Sequence, residues 1–155
     1  MERIVINSKL SGFVLLDEVT EAGTEAMTAR KRFMDASACL GVESLAQLGA
    51  LHVRFLSGFE RHACLLTIKR CTIVSKDRLN GPFRLYAALS GHSRSAFSYL
   101  LRAVEECPTR EDRVRIEGEF LFAAIDYDTD FRKDIIQAHY QRVFSCLKSG
   151  SKTGC

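Results

Sequence analysis

The sequence predicts an α+β domain in which an antiparallel sheet wraps around one long central helix, with a second helix at the C-terminal end. Three observations predict this fold: an apolar segment of helical length at residues 40–56, strand-like patterns on both sides of it, and a return to helical spacing at residues 129–147. A helix that is apolar on nearly every side must be covered on nearly every side. A curled sheet completed by a second subunit would provide that cover.

The first part of the chain predicts two strands followed by the central helix. Residues 13–20 and 25–33 are strand-like, and a Glu-Ala-Gly turn at residues 21–23 joins them. Asp35 and Ser37 are candidate caps for a helix that begins near Leu40 and ends near Leu56. The Ser-Gly pair at residues 57–58 is a typical helix stop.

Residues 62–126 predict a series of four strands, interrupted by turns at residues 79–83 (LNGPF) and at the segment PTRED. One face of the strand after LNGPF carries Phe83, Leu85, Ala87 and Leu89. The last strand alternates most regularly, with Val114, Ile116, Phe120 and Phe122 on one face and Arg115, Glu117 and Glu119 on the other. The first face packs on the core, and the second is solvated or paired.

The C-terminal segment 129–155 predicts an amphipathic helix over residues 129–147 and a flexible tail. We expect its apolar stripe to pack on the sheet or on a neighbouring subunit; the stripe consists of Ile136, Tyr140, Val143, Phe144 and Leu147. The chain of 155 residues suits a single core. We therefore expect one domain over residues 1–128, with residues 129–155 as an addition to it.

Charge and hydropathy argue against a nucleic-acid partner and against a membrane-spanning helix. The net charge of +3 is small and dispersed, and the densest basic run, residues 30–32, is typical of a solvated strand end rather than of a nucleic-acid site. No apolar segment reaches the ~18 residues of a membrane-spanning helix. The first ten residues also lack the long apolar region of a signal peptide.

The cysteines indicate a cytoplasmic protein with reduced thiols. No CxxC pair or zinc-ligand spacing links the six of them, so we expect neither a metal nor another cofactor. They are Cys39, Cys64, Cys71, Cys107, Cys146 and Cys155.

One carboxylate interrupts the apolar helix. The segment ACLGVESLAQLGALHVRFL, residues 38–56, contains Glu43, and a buried carboxylate without a partner costs several kcal/mol or becomes protonated. Cys39 precedes it by one helical turn, and Gln47 follows it by one turn on the same face. An alternative interpretation is that Glu43 forms a structural ion pair with Arg54 or a strand arginine.

The order of elements and several motifs resemble the hot-dog fold of the 3-hydroxyacyl-(acyl carrier protein) dehydratases, over most of residues 12–125. The segment FVLLDEVTE (13–21) is similar to the first strand of that family, and GVESLAQ (41–47) to its central-helix motif. The segment KDRLNGPFRLYAALSG resembles its turn and third sheet strand. The likeness is greatest to divergent members associated with aryl-polyene pigment pathways.

This resemblance implies roles for particular residues. Glu43 would be the helix carboxylate that takes part in proton transfer during dehydration of a 3-hydroxyacyl thioester, and Gln47 would hold it or a water in place. The helix start, with Ala38, Cys39 and Gly41, would bind the thioester, because its backbone amides can polarise a carbonyl. The substrate would be an acyl-(acyl carrier protein) or acyl-coenzyme A in fatty-acid or polyketide-type biosynthesis.

The resemblance fails at the catalytic histidine. The positions that carry it in the family fall near Ala29, or near Lys9 in the divergent members, and the Pro-Gly turn falls near Ser37 and Ala38. His52 lies nine residues after Glu43, about 180° around the helix. Three functions therefore stay open: a dehydratase, a thioesterase that depends on the carboxylate alone, and a non-catalytic hot-dog subunit. Each would be a homo-oligomer or a heteromer with a second hot-dog protein.

Overall fold

The structure, a computed structural model, describes residues 14–150. The segment before residue 14, which includes Lys9 and the expected start of the first strand, lies outside the described residues, as does the tail after residue 150. The elements in chain order are β1 (Glu18–Ala22), β2 (Ala26–Ala36), α1 (Ala38–Leu56), β3 (His62–Ile73), β4 (Leu79–His92), β5 (Ala96–Glu105), β6 (Arg113–Ile125) and α2 (Lys133–Lys148).

The six strands form one antiparallel sheet in the order β1-β2-β4-β5-β6-β3, and α1 contacts five of them on one face. The predicted α+β arrangement, a sheet wrapped around one long helix with a second helix at the C-terminal end, is confirmed. Gly58 takes a left-handed conformation, with φ of 61°, at the predicted helix stop. Since β1 is short, β3 is the long edge strand of the sheet.

The predicted inward faces of β4 and β6 are confirmed except at residues 114 and 115, where a bulge pairs Val114 with Val104 and so turns it away from the face of Ile116. Phe83, Leu85 and Ala87 of β4 are fully buried, as are Ile116, Phe120 and Phe122 of β6. Arg115 is also buried, because a bulge leaves it without a partner opposite in β5. Its guanidinium donates to Glu105 Oε2 at 3.0 Å and to the Asp77 carbonyl at 2.7 Å.

The turn predicted at residues 79–83 is wrong. These residues open β4, and the chain reverses before them, at residues 74–78. Gly81 has a φ of 86° and pairs with Phe33 next to an irregularity in the β2–β4 register. The glycine therefore marks a distortion within a strand pair, which gives the same sequence signal as a turn.

Helix α2 packs on its own chain, and four of the five residues of the predicted stripe contact the core; Ile136 is partly buried but is not among them. Val143 and Leu147 are buried, while Tyr140 and Phe144 are partly buried against the core. The helix begins four residues later than the sequence indicated, at Lys133.

The cysteines show one departure from the expected reduced thiols. Cys39, Cys64, Cys71 and Cys107 are free, but Cys146 is disulfide-bonded. Spacing along the chain does not reveal which thiols meet in space, which is why the sequence did not predict this bond.

Candidate functional site

The two sides of α1 have different environments. The side that faces the sheet is buried, and a Cβ added to Gly49 would lie 2.5 Å from the Phe122 ring, so the glycine permits close packing. The opposite side is less covered: Cys39 and Glu43 are exposed, and Gln47 is partly buried. The candidate site lies on this second side, in the first half of the helix.

Glu43 is exposed to solvent in this single chain, so its expected burial depends on the cover that a second subunit would add. The apolar composition around it predicted cover on all sides, but the sheet of one chain covers only one side of α1. Within residues 14–150 Glu43 forms no ion pair, and Gln47 Nε2 donates to its Oε1 at 3.4 Å. The alternative interpretation was a structural ion pair between Glu43 and Arg54 or a strand arginine. No such pair is present within residues 14–150.

Gln47 is oriented by the chain segment that precedes β1. Its Oε1 accepts a hydrogen bond from the backbone N–H of Leu15 at 2.8 Å. With the amide oxygen engaged there, the Nε2 end is directed to Glu43 Oε1. The sequence placed Gln47 beside Glu43, but it contained no signal for the contact with Leu15.

The start of α1 lacks a side-chain cap. Ser37 is the N-cap residue, and its carbonyl accepts from the Leu40 N–H at 3.1 Å, but its side chain makes no hydrogen bond to the amides of the first turn. Ala38 is partly buried and Cys39 is an exposed free thiol. Gly41 is buried, and a Cβ there would lie 2.5 Å from Ile116 Cδ1, so its side of the helix belongs to the core.

The other predicted cap, Asp35, holds the segment that leads into α1. It has a φ of 47°, and its backbone N–H donates to Asn80 Oδ1 at 2.8 Å. Its carboxylate accepts from Arg78 Nε at 2.6 Å. These contacts from residues at and just before the start of β4 fix the direction from which the chain enters the helix.

The histidines have other partners. Within the described residues, none is hydrogen-bonded to Glu43. His52 is fully buried between the Tyr99 hydroxyl and the Gly23 carbonyl, each 2.7 Å from a ring nitrogen. Burial lowers the pKa of His52, although the hydrogen bond to Gly23 opposes this. His92 stacks on Phe97 at the end of β4.

The sheet leaves an apolar row uncovered beside α1. Residues paired across strands share a face, and in β3 the partners of the buried residues Phe122, Phe120 and Ile116 are Leu65, Ile68 and Ile73. These three are 41%, 37% and 43% exposed although they lie on the helix face of the sheet. Among residues 14–150, the edge of β3 therefore presents apolar side chains together with backbone groups that no other strand pairs.

Within residues 14–150, no cluster of three His, Cys, Asp or Glu side chains could hold a metal ion. No helix in this part of the chain has the length and hydropathy to cross a membrane.

The comparisons with solved structures show the hot-dog fold. A thioesterase of Haemophilus influenzae superposes with a TM-score of 0.60 at 12% identity, covering 77% of this chain and 85% of that one. A hypothetical thioesterase of Streptococcus pneumoniae, solved with coenzyme A, gives 0.58 at 10% identity, covering 70% and 85%. A hexameric thioesterase of Yersinia pestis gives 0.56 at 11% identity, covering 66% and 88%. No protein-family profile and no curated protein sequence matches the chain.

Proposed function

We propose that this protein binds acyl thioesters at the exposed side of α1 and acts on them in the manner of a 3-hydroxyacyl-(acyl carrier protein) dehydratase. The observation that carries the proposal is Glu43, a carboxylate without an ion pair in the described chain, oriented by Gln47 and placed one turn after an uncapped helix start. A fold shared with thioesterases, one of them solved with coenzyme A, supports the choice of an acyl thioester.

In the dehydration, Glu43 takes the proton from C2 of the 3-hydroxyacyl group while Gln47 keeps the carboxylate in place. The electron pair of the C–H bond forms the new double bond, and the hydroxyl leaves with a proton as water. The backbone amides at Ala38 and Cys39 stabilise the charge that develops on the thioester oxygen, while Gly41 lets the start of α1 pack closely on β6. Glu43 returns its proton to the departing hydroxyl, so no second acid is needed for the balance.

Thioester hydrolysis is the second candidate, favoured by the engagement of His52 away from Glu43. In that reaction Glu43 removes a proton from water, the oxygen attacks the carbonyl carbon, and the thiol leaves with a proton. The same helix amides stabilise the oxyanion. The two reactions differ in product, so one assay separates them.

A second copy of this chain completes the site in our proposal. Pairing of two β3 edges would satisfy their free backbone groups and cover Leu65, Ile68 and Ile73. Such pairing would place the uncovered side of α1 near the partner subunit. Sedimentation at micromolar concentration should give a dimer or larger species. A stable monomer would contradict this part of the proposal. If the chain instead assembled with a second hot-dog protein, that protein would take the place of the second copy.

The test is mass spectrometry of purified protein incubated with 3-hydroxyacyl, enoyl and saturated acyl thioesters, each on coenzyme A and on an acyl carrier protein. Dehydration yields the enoyl thioester, and hydrolysis yields a free thiol. Glu43→Gln should reduce turnover by about 100-fold or more while the protein stays folded. Glu117→Gln, an exposed position on the outer face of β6, is the matched control and should retain activity.

Two results would overturn the proposed reaction. Full activity in Glu43→Gln would remove the carboxylate from the mechanism. Acyl binding without turnover would instead assign the chain to the non-catalytic hot-dog subunits. We place the protein in the cytoplasm and in fatty-acid or polyketide-type biosynthesis as part of the same proposal.

A further inference from the structure

The second helix rests on a buried arginine at the far end of α1. Arg54, in the last turn of α1, is only 5% exposed, and its guanidinium carbon lies 3.6 Å from the centroid of the Tyr140 ring of α2. Its Nη2 donates to the Ala63 carbonyl at 2.9 Å. No carboxylate in residues 14–150 pairs with it, so cation–π contact and the C-terminal end of the α1 dipole must stabilise the charge.

His62, the first residue of β3, completes the surroundings of this arginine. Its Nδ1 lies 3.3 Å from Arg54 Nη2, and its ring stacks on Phe131 with centroids 5.0 Å apart. A guanidinium has donors only, so His62 Nδ1 must be the acceptor. The imidazole is therefore neutral in this state and carries its proton on Nε2.

The groups around His62 include no free acid within the described residues. Arg54 faces it from α1, Tyr127 from the segment after β6, and Tyr140 from α2. His139 of α2 packs edge-on against Tyr140 and has Arg142 as a charged neighbour. The nearby acid Glu60 is engaged by Lys133 at 2.6 Å and by Gln137 at 3.1 Å.

We propose that the docking of α2 onto α1 and β3 is sensitive to protons, with His62 as the sensor. A proton on Nδ1 removes the acceptor for Arg54. It also sets two cations in contact within a partly buried aromatic cluster, formed by Tyr127, Phe131 and Tyr140. Neither charge has an anion to neutralise it among the described residues of the cluster. The cluster opens, and α2 separates from the sheet while the strands stay paired.

The sign of the effect follows from the same contacts. Burial first, and then the charge of Arg54, lower the pKa of His62, and burial also lowers the pKa of His139. Once α2 is released, His62 returns to its ordinary pKa of about 6.5. Docking is therefore strongest above that pH. Below it, the equilibrium constant for docking of α2 decreases by up to about tenfold for each unit by which the pH falls.

Hydrogen exchange of the full-length protein, followed at about pH 7.5 and about pH 5.5 on either side of this range, tests the proposal. After correction for the intrinsic exchange rate, amides of α2 should open several-fold to about tenfold more often at the lower pH. Amides of β5 and β6 should stay better protected than those of α2 at both pH values, because α2 separates while the strands stay paired. Equal opening of α2 at both pH values would overturn the proposal.

His62→Gln separates the sensor from other groups that titrate in this range. The side-chain carbonyl of the introduced glutamine can still accept from Arg54, but it does not titrate, so the pH dependence of α2 should largely disappear. His92→Gln is the matched control, since His92 also lies at the end of a strand and stacks on a phenylalanine, and it should behave as the wild type. A pH dependence in His62→Gln equal to that of the wild type would contradict the role of His62.

His62→Phe, which keeps an aromatic ring, replaces His62→Gln if the latter loses protection in β5 and β6.

Discussion

Removal of one buried hydroxyl tests how much the core depends on His52. The Gly23 carbonyl can only accept, so His52 Nε2 donates to it, and Nδ1 must accept from the Tyr99 hydroxyl. Tyr99→Phe keeps the ring and its edge contact with Phe122 but leaves Nδ1 without a donor in a site closed to water.

The expected cost is about 1–3 kcal/mol, because an unsatisfied buried acceptor loses its full solvation as well as the hydrogen bond. For a chain of this size that corresponds to about 2–4 °C in the melting temperature for each kcal/mol. Urea denaturation followed by circular dichroism measures the change as a lower midpoint at unchanged slope.

Tyr86→Phe is the matched control, because Tyr86 is only partly buried on the outer face of β4 beside the exposed Arg84, so the variant leaves no buried acceptor without a donor. We expect that variant within about 0.5 kcal/mol of the wild type. An unchanged midpoint for Tyr99→Phe would refute the reasoning, since it would mean that the histidine nitrogen is solvated or finds another donor.

Three further predictions concern stability. Truncation after Asp128 should lower the melting temperature, because it removes buried side chains such as Val143, each worth about 1.5–3 kcal/mol; the same experiment tests the proposed division of the chain at residue 128. Gly118→Ala should destabilise by more than about 1 kcal/mol in urea denaturation, because the new Cβ would lie 2.5 Å from the Arg70 carbonyl of the paired strand. Global stability should fall as pH drops below about 6.5, since burial lowers the pKa of His52 and the neutral ring is the folded form; urea midpoints across this range measure it.

Each of these has a contrasting outcome. An unchanged melting temperature after truncation would show that the last helix is dispensable for the domain. Gly91→Ala, where a Cβ meets nothing within 4 Å, should be neutral, and an equal effect at Gly118 would refute the steric argument. Urea midpoints that stay constant from neutral to mildly acidic pH would show that His52 accepts a proton in the folded state.

Patterns within single elements were sufficient for most of the fold. The alternation of Ile116, Phe120 and Phe122 in β6 and the helical spacing around Val143 each depend on residues a few positions apart. Both predicted the buried face correctly. The position of Glu43 and Gln47 on one side of a helix follows in the same way from a period of 3.6 residues.

Contacts between distant parts of the chain decided the rest. Arg115 is buried because β5 offers it no partner at a bulge, and Glu43 is exposed because the sheet of one chain curls around only one side of α1. Gln47 is oriented by Leu15, and His52 is held by Gly23 and Tyr99. A local pattern states which side of an element is apolar, but the partner of each polar group depends on register, bulges and packing that form only when the strands and helices meet in three dimensions.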